Sequence, residues 1–206
     1  MQNNRDISTN WFEDLYKSNY LEDEKIPWAN MEQNIHLKNY VKENSSRGRA
    51  LVIGCGLGDD AILLDSVGFD VVAIDISKSA INWCKERFKD NHNVDFIVQD
   101  IFELKDNFID TFDFVFEFRT IQSLPIEYRQ KIIKAISSTV KTNGKILVLT
   151  NTRNENQIIQ GPPWPLSISD IKLFEKNNMK ELSFNIVKNE NNNISNNLIK
   201  AVYLKK

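Results

Sequence analysis

The chain has 206 residues, a length that fits one α/β domain and leaves little room for a second. Hydrophobic residues make up 41% and charged residues 26%, the balance of an ordinary globular protein. The formal net charge of -2 comes without a basic stripe, which argues against a nucleic-acid partner. Signal-peptide and membrane-spanning patterns are absent, so we expect a cytoplasmic protein that does not contact membranes.

Residues 1–45 are polar with scattered aromatic side chains, and they predict a helical cap. The first predicted helix carries these residues on one face: Trp11, Phe12, Leu15 and Tyr16. A second helix is expected to begin near Trp28 and to point Met31, Ile35 and Tyr40 inward. The region is too small to bury a core of its own, so we interpret it as an appendage of one domain.

From residue 46 to residue 206 the pattern alternates between strand and helix. Five short apolar runs predict strands, at 49–53, 71–74, 94–98, 112–118 and 145–150. Helices are predicted between them, including one from about Ser77, a plausible N-cap, to Lys89 and one at 125–141. Short buried strands that alternate with helices indicate a parallel sheet covered on both faces.

After the fifth strand the rhythm changes. A loop with the sequence GPPWPLS leads to a helix near 169–177, and two strand-like runs follow at 182–187 and 198–204. The Asn-rich segment 189–197 between those runs is typical of a polar hairpin connection. The sequence therefore predicts a mostly parallel seven-stranded sheet that ends in an antiparallel hairpin.

The first strand ends in the glycine-rich turn LVIGCGLGDDA, which opens a helix. Gly54, Gly56 and Gly58 allow positive φ angles and a close approach of the backbone to a ligand. Amides at the helix start favour an anionic group such as a carboxylate. We count Cys55 and Asp60 of this turn among the candidate cofactor-binding residues.

Two acids follow at the ends of the next two strands. Asp75 is placed to accept hydrogen bonds from ribose hydroxyls, with Ile76 beside it. Asp100 is placed to meet an adenine amino group, and Ile101 and Phe102 would flank the ring. Because these elements stand in order at successive strand ends, they indicate a cofactor that contains adenosine.

The spacing of the glycines bears on which cofactor binds. Nicotinamide enzymes normally space them as G-x-G-x-x-G, whereas here they alternate as G-C-G-L-G. No Tyr-Lys or His pair for hydride transfer is evident, and the sheet does not continue into a second mononucleotide half. The pattern favours S-adenosylmethionine over a dinucleotide, and no metal site is predicted.

The run ALVIGCGLGDDAILLDSVGFDVVAIDISKSAI closely resembles the thiopurine S-methyltransferase-like family, which includes halide and thiol methyltransferases. The resemblance extends to the N-terminal WFEDLYKSNYLEDEKIPW and to the later GPPW. It implies the Rossmann-like class I methyltransferase fold in a single domain of residues 1–206, comprising the cap and the core. It also implies that Trp11 and Trp28 help to close over the cofactor.

The sequence departs from the family at the end of the fourth strand. The family commonly has an Asp there, often followed by an Arg, whereas this chain has Glu117, then Phe118, then Arg119. We predict catalytic roles for Glu117 and Arg119, with Glu117 also near the cofactor. Arg119 and Trp164 are the predicted substrate residues. Because the substrate side differs, thiopurine chemistry is not carried over.

The aromatic cap and the GPPW loop suggest a closed pocket and a small acceptor with a thiol, halide or similarly soft nucleophile. An N- or O-methyltransferase of a metabolite is the alternative, in which Glu117 or His36 would serve as base. An RNA or protein methyltransferase, or a non-catalytic cofactor-binding module, is also open. A monomer is the default expectation, because no heptad or long apolar patch is evident.

Overall fold

The computed structural model describes residues 10–89, 92–188 and 197–206. Seven strands form one sheet in the order β3-β2-β1-β4-β5-β7-β6. The strands are β1 Arg49–Ile53, β2 Asp70–Asp75, β3 Asp95–Val98, β4 Phe112–Phe118, β5 Val140–Asn151, β6 Met179–Val187 and β7 Leu198–Lys205. The helices are α1 Asn10–Ser18, α2 Ile35–Glu43, α3 Asp59–Ser66, α4 Lys78–Arg87, α5 Arg129–Thr139 and α6 Ile168–Ile171.

The strand pairing confirms the predicted sheet. β1 runs parallel to β2 and β4, and β3 and β5 extend the parallel part on either side. β7 is antiparallel to both β5 and β6. The carboxyl ends of β1 to β4 therefore meet at one edge, where α/β sheets bind ligands.

Helices cover both faces of the sheet. On one face, strand residues pack against α5 and α6, and this core includes Leu51, Ile74, Val115, Val148, Ile132, Ile136 and Ile171. On the other face they pack against α2, α3 and α4, and this core includes Ala50, Val52, Ala73, Phe116, Leu37, Leu64 and Ile81. Because both sides of the central strands are buried, β1 and β2 carry continuous apolar runs, residues 50–53 and 71–74.

Residues 10–29, here called the N-terminal arm, pack outside these two cores. Tyr16 and Ile26 of the arm form a third apolar cluster with Leu57, Ala80 and Trp83. Leu57 lies in the glycine-rich turn, and the other two partners lie on α4. The arm is thereby held against the start of α3 and the first turns of α4.

The second helix differs from its prediction. It begins at Ile35, after Asn34 as N-cap, rather than near Trp28. Met31 and Ile35 are exposed instead of inward, whereas Tyr40 is buried as expected. The Asn34 side chain accepts hydrogen bonds from the backbone N–H of His36, at 2.9 Å, and of Leu37. This cap sets the start of the helix and overrides the aromatic spacing that suggested an earlier one.

The boundaries of two further predicted helices differ from those in the structure. The helix predicted at 125–141 is a 3₁₀ turn, Ile126–Tyr128, followed by α5, and it ends at Thr139 because Val140 already pairs with Phe112. The helix predicted near 169–177 is α6 followed by the 3₁₀ segment Lys172–Asn177. The predicted connection at 189–197 lies outside the described residues except for Asn197.

Candidate functional site

The glycine-rich turn has the backbone conformation that its sequence predicts. The φ angles of Gly54, Gly56 and Gly58 are 62°, 52° and 89°. At Gly54 a Cβ atom would lie 2.2 Å from Thr120 Oγ1, so only glycine fits between β1 and the loop after β4. α3 then begins with Asp59 and Asp60, which place two of the chain's own carboxylates at the amide-rich helix start. The predicted anion site there remains a prediction.

Asp75 ends β2 beside this turn. Its Oδ2 accepts a hydrogen bond from Gly56 N at 3.0 Å, and its Oδ1 accepts one from Ser77 N at 2.9 Å. Burial raises the pKa of Asp75 to about 6, although the backbone donors act in the opposite direction. A carboxylate has about four acceptor positions, so Asp75 retains capacity for ribose hydroxyls. Ile76 beside it is 39% exposed and offers apolar surface.

The third strand end carries the predicted adenine contacts. Asp100 is half-buried, and its Oδ1 accepts a hydrogen bond from Phe102 N at 2.7 Å. Ile101 and Phe102 are half-buried and pack against the core on the α5 face. The Lys131 ammonium lies 4.5 Å from the centroid of the Phe102 ring. These residues offer the acidic and apolar groups that contacts with an adenosine moiety require, so their chemistry fits such a cofactor.

The N-terminal arm brings aromatic rings to the glycine-rich turn. Trp28 Nε1 donates a hydrogen bond to the Tyr16 hydroxyl at 2.7 Å. A Cβ at Gly56 would lie 3.1 Å from that hydroxyl oxygen, so the buried Tyr16 reaches the turn directly. Trp11 contacts Trp28 edge to face, with ring centroids 5.6 Å apart. Tyr16 was predicted only as part of a helix face, and the structure adds it to the candidate site.

Glu117 is more deeply buried than Asp75. Its side chain is 0% exposed, at the end of β4 on the face toward α5. Its Oε1 accepts a hydrogen bond from Ile121 N at 2.9 Å. Among the described residues, its Oε2 is one of the buried side-chain atoms without a hydrogen-bond partner. Burial raises the pKa of Glu117 to about 7, so this carboxyl titrates near neutral pH.

Arg119 follows in the loop after β4. Its φ angle is 64°, a left-handed conformation that costs free energy for a residue with a side chain. Its guanidinium lies 4.7 Å from the centroid of the Phe118 ring. Burial lowers the pKa of Arg119, and its Nε is another buried atom that lacks a partner within the described part of the chain.

The GPPW loop is fixed to the loop after β4. Trp164 N donates a hydrogen bond to Gln122 O at 2.6 Å, and the buried Arg129 donates to Ile121 O and to Trp164 O. Gln122 Oε1 in turn accepts a hydrogen bond from Asn151 N at 2.7 Å. The half-buried Trp164 is therefore held through its backbone beside the loop after β4, and its role as a substrate residue remains a prediction.

Several candidates lie in less specific environments. Asp60 Oδ1 accepts a hydrogen bond from Asn34 N at 2.7 Å, and burial raises its pKa to about 6. Cys55 is a half-buried free thiol, and a hydrogen bond with the neighbouring Cys84 thiol, followed by burial, raises its pKa well above the usual value. His36 lies on α2, where burial lowers its pKa and the Lys200 ammonium adds to that effect.

Sequence reasoning did not single out Glu13, Gln122 or Arg129. Glu13 lies on the same short helix as the arm's aromatic residues, and Arg129 begins α5. Both residues therefore lie within helices that the sequence predicts. Their partners are backbone and side-chain atoms distant in sequence, which no spacing rule identifies. Within the ranges 10–89, 92–188 and 197–206, we find neither a metal-ligand cluster nor a helix long and apolar enough for a bilayer.

Comparison with known proteins gives consistent matches. The family model for thiopurine S-methyltransferase matches residues 13–202. Thiopurine S-methyltransferase of Legionella pneumophila (strain Corby) is 29% identical over 167 residues, and the match covers 72% of this chain and 74% of that protein. Thiocyanate methyltransferase 1 of Arabidopsis thaliana is 27% identical over 152 residues, covering 72% of this chain and 65% of that protein.

The fold has counterparts among solved structures. Magnesium protoporphyrin IX methyltransferase from Synechocystis PCC 6803, solved with bound S-adenosylhomocysteine, superposes with a TM-score of 0.71. The sequences are 14% identical, and the match covers 97% of this chain and 100% of that one. At this identity the likeness concerns the fold alone, and it agrees with the strand order described above.

Proposed function

The chain belongs to the thiopurine S-methyltransferase family, and from this premise we propose that its acceptor is a small molecule with a thiol or similarly soft nucleophile. The protein is an S-adenosylmethionine-dependent methyltransferase. The names of its relatives, thiopurine and thiocyanate methyltransferases, support a sulfur acceptor. The residues at the end of β4 bear on the finer choice of acceptor.

The cofactor is assigned to the edge formed by β1, β2 and β3. Gly54 and Gly56 provide the open turn, Asp75 the ribose contact, and Asp100 the adenine contact. The adenine faces would lie against Ile76, Ile101 and Phe102. Trp11 and Trp28 close the methionine side together with Tyr16. S-Adenosylmethionine supplies an electrophilic methyl group on a sulfonium; the protein has to align the nucleophile and exclude water.

One observation carries the choice of acceptor: two buried polar atoms lie unbonded at the end of β4, Glu117 Oε2 and Arg119 Nε, among the described residues. A guanidinium removed from water attracts an anion more strongly than an exposed one. A carboxyl with a pKa of about 7 can take up a proton at neutral pH. Arg119 therefore binds an anionic acceptor, and Glu117 accepts the proton of a neutral thiol.

Trp164 forms the wall of this acceptor site. Its backbone is bonded to Gln122 and Arg129, so the ring is presented by a fixed loop. A rigid aromatic wall favours a small acceptor over a polymer. This supports the expectation that nucleic acids are not partners.

A second candidate function is N- or O-methylation of a metabolite. It is favoured by the same carboxyl, because amine and hydroxyl acceptors usually need a general base. The two candidates differ in whether Glu117 is required by every acceptor or only by those that carry a proton. Soft anions without a proton, such as iodide, would need no base.

The first test is titration calorimetry with S-adenosylmethionine and S-adenosylhomocysteine on the wild type and on Asp75→Ala. We expect micromolar binding that the substitution weakens at least about tenfold, or about 1.4 kcal/mol. An acceptor screen then compares thiols and halides with amines and hydroxyl compounds. Turnover confined to amines or hydroxyl compounds would overturn the soft-acceptor proposal, and absence of binding would overturn the cofactor assignment of these residues.

A further inference from the structure

Glu13 of α1 binds the first turn of α4. Its Oε2 accepts hydrogen bonds from Ser77 Oγ at 2.7 Å and from Ser79 N at 3.0 Å. Its Oε1 accepts a third from Ser79 Oγ at 2.7 Å. These contacts join residues more than sixty positions apart in sequence, and they attach α1 to α4 through polar groups.

The carboxylate is well suited to this position. Burial acts to raise the pKa of Glu13, but the hydrogen bonds from Ser79 and Ser77 outweigh it and the pKa lies below its usual value. Glu13 is therefore ionised at neutral pH. The positive end of the α4 dipole attracts the negative charge, and the donors are the backbone and hydroxyl groups of the first turn.

Ser77 connects this attachment to the predicted cofactor site. Its hydroxyl donates to Glu13 and accepts from Ala80 N at 3.0 Å, and its backbone N–H donates to Asp75 Oδ1. Ile76, which offers an apolar surface for adenine, lies between Asp75 and Ser77. By fixing Ser77, Glu13 also fixes the backbone of the adjacent Asp75 and Ile76.

The same helix carries the aromatic side of the site. Tyr16, one turn after Glu13 on α1, reaches Gly56 and binds Trp28. The apolar cluster of Tyr16 with Leu57 and Trp83 holds the arm from that side. The arm is thus attached to the core by this apolar cluster, by the hydrogen bond from the Tyr20 hydroxyl to Glu86 and by Glu13, and the Glu13 attachment lies next to the predicted ribose end of the site.

We propose that Glu13 is a positioning residue that holds the N-terminal arm closed over bound S-adenosylmethionine. Neutralising Glu13 loosens α1 from α4, which weakens cofactor binding and speeds cofactor release while the acceptor site stays intact. The proposal rests on the cofactor assignment above and is independent of the identity of the acceptor. It assigns cofactor retention to a residue whose hydrogen-bond partners include Ser77 and Ser79 and which lies outside the predicted cofactor contacts.

The test compares Glu13→Gln and Glu13→Ala with Asp14→Asn, which neutralises the exposed acid next along the same helix. Calorimetry and stopped-flow tryptophan fluorescence would measure the dissociation constant and release rate of S-adenosylhomocysteine. We expect both to rise about tenfold or more in the Glu13 variants and to change less than about twofold in Asp14→Asn. The KM for the acceptor should remain unchanged while the KM for S-adenosylmethionine rises.

Two further measurements separate positioning from general destabilisation. Hydrogen exchange of residues 10–18 should slow when S-adenosylhomocysteine binds the wild type, and much less when it binds Glu13→Gln. Ser79→Ala removes one partner of Glu13 while leaving the acid in place, so it should reproduce a smaller part of the loss. Unchanged affinity and release rate in folded Glu13→Gln and Ser79→Ala would overturn the proposal, whatever the stability of Glu13→Ala.

Discussion

Glu117 combines complete burial with an unbonded oxygen, and a single substitution tests its role. Glu117→Gln keeps the size of the side chain and an oxygen that can accept from Ile121 N. If the carboxylate takes the acceptor's proton, kcat/KM for a thiol should fall about 100-fold, within the usual range for loss of a general base. For iodide, which carries no proton, kcat/KM should change less than about threefold. Parallel assays with both acceptors give the comparison.

The direction in which the pKa of Glu117 is shifted predicts how kcat/KM depends on pH. The pKa of Glu117 is raised to about 7, so the carboxyl is protonated below that pH and cannot accept a proton. The wild-type kcat/KM for a thiol should therefore rise as pH increases to about 7, whereas in Glu117→Gln it should rise only with the ionisation of the thiol itself, at about pH 8.5. Equal losses for thiol and iodide would contradict the role of base and leave Glu117 as a brace of the loop after β4.

Most of the site residues predicted from the sequence lie at or next to a strand end, whereas the predicted Trp11, Trp28 and Trp164 lie on α1 and in loops. Asp75 and Glu117 could be identified because a parallel sheet gathers its carboxyl ends, so position along the chain implies position in space. Glu13 and Arg129 could not, because their partners are set by how helices and loops pack. The depth of Glu117 was also not predictable, since burial of its side chain depends on the loop that covers it.

At the level of elements, Arg129 of α5 joins the loop after β4 to the GPPW loop. It is 3% exposed and donates to carbonyls of both loops. Arg129→Met should remove two charged hydrogen bonds and lower the free energy of unfolding by about 3 kcal/mol. We also expect the KM for the acceptor to rise several-fold, because Trp164 is released, while the affinity for S-adenosylhomocysteine is unchanged. Chemical denaturation, steady-state kinetics and calorimetry measure these three quantities.

Lys134→Met is the matched control for this element, because it removes a positive charge from an exposed position of the same helix. It should leave stability and both constants nearly unchanged. If Arg129→Met were less stable but kept the wild-type KM for the acceptor, the GPPW loop would not need this attachment for its function. Arg129 would then serve stability alone.

Helices and strands were predictable where the hydrophobic periodicity and the residues that cap or end them agreed. β4 matches its predicted range, and α4 begins after Ser77 as expected, since the serine side chain accepts from Ala80 N. The start of α2 was misjudged because aromatic spacing after Trp28 imitated a helix face. The end of α5 was misjudged because Val140 extends β5 toward Phe112, a pairing that only the sheet determines.

For the whole molecule, the buried carboxyl groups set how stability varies with pH. Burial raises the pKa of Asp60 and Asp75 to about 6 and that of Glu117 to about 7. The native protein therefore holds these protons to higher pH than the unfolded chain does. Their contribution to stability is present at acid pH and is lost as pH rises through the folded pKa values.

Two other acids change the stability with pH in the opposite direction. The pKa values of Glu13 and Asp113 lie below their ordinary values, because hydrogen bonds from Ser79 and Ser77 and from Lys141 and Arg49 outweigh the burial that would raise them. Their contribution is present at neutral pH and is lost as pH falls below the ordinary carboxyl range. The two sets of acids together predict greatest stability of the ligand-free protein at about pH 4, because the first set loses its contribution above that pH and the second set loses its contribution below it.

Asp60→Asn tests this account without altering the strand-end acids. Asparagine retains an oxygen that can accept from Asn34 N, and it removes the carboxyl whose pKa is about 6 instead of 3.8. Between about pH 4 and pH 8 the wild type should lose up to roughly 3 kcal/mol of unfolding free energy from this group, and the variant should not. Urea denaturation at several pH values measures the difference, with the exposed Glu43→Gln as control. A variant whose stability falls with pH as steeply as the wild type would show that the burial of Asp60 does not govern the pH dependence.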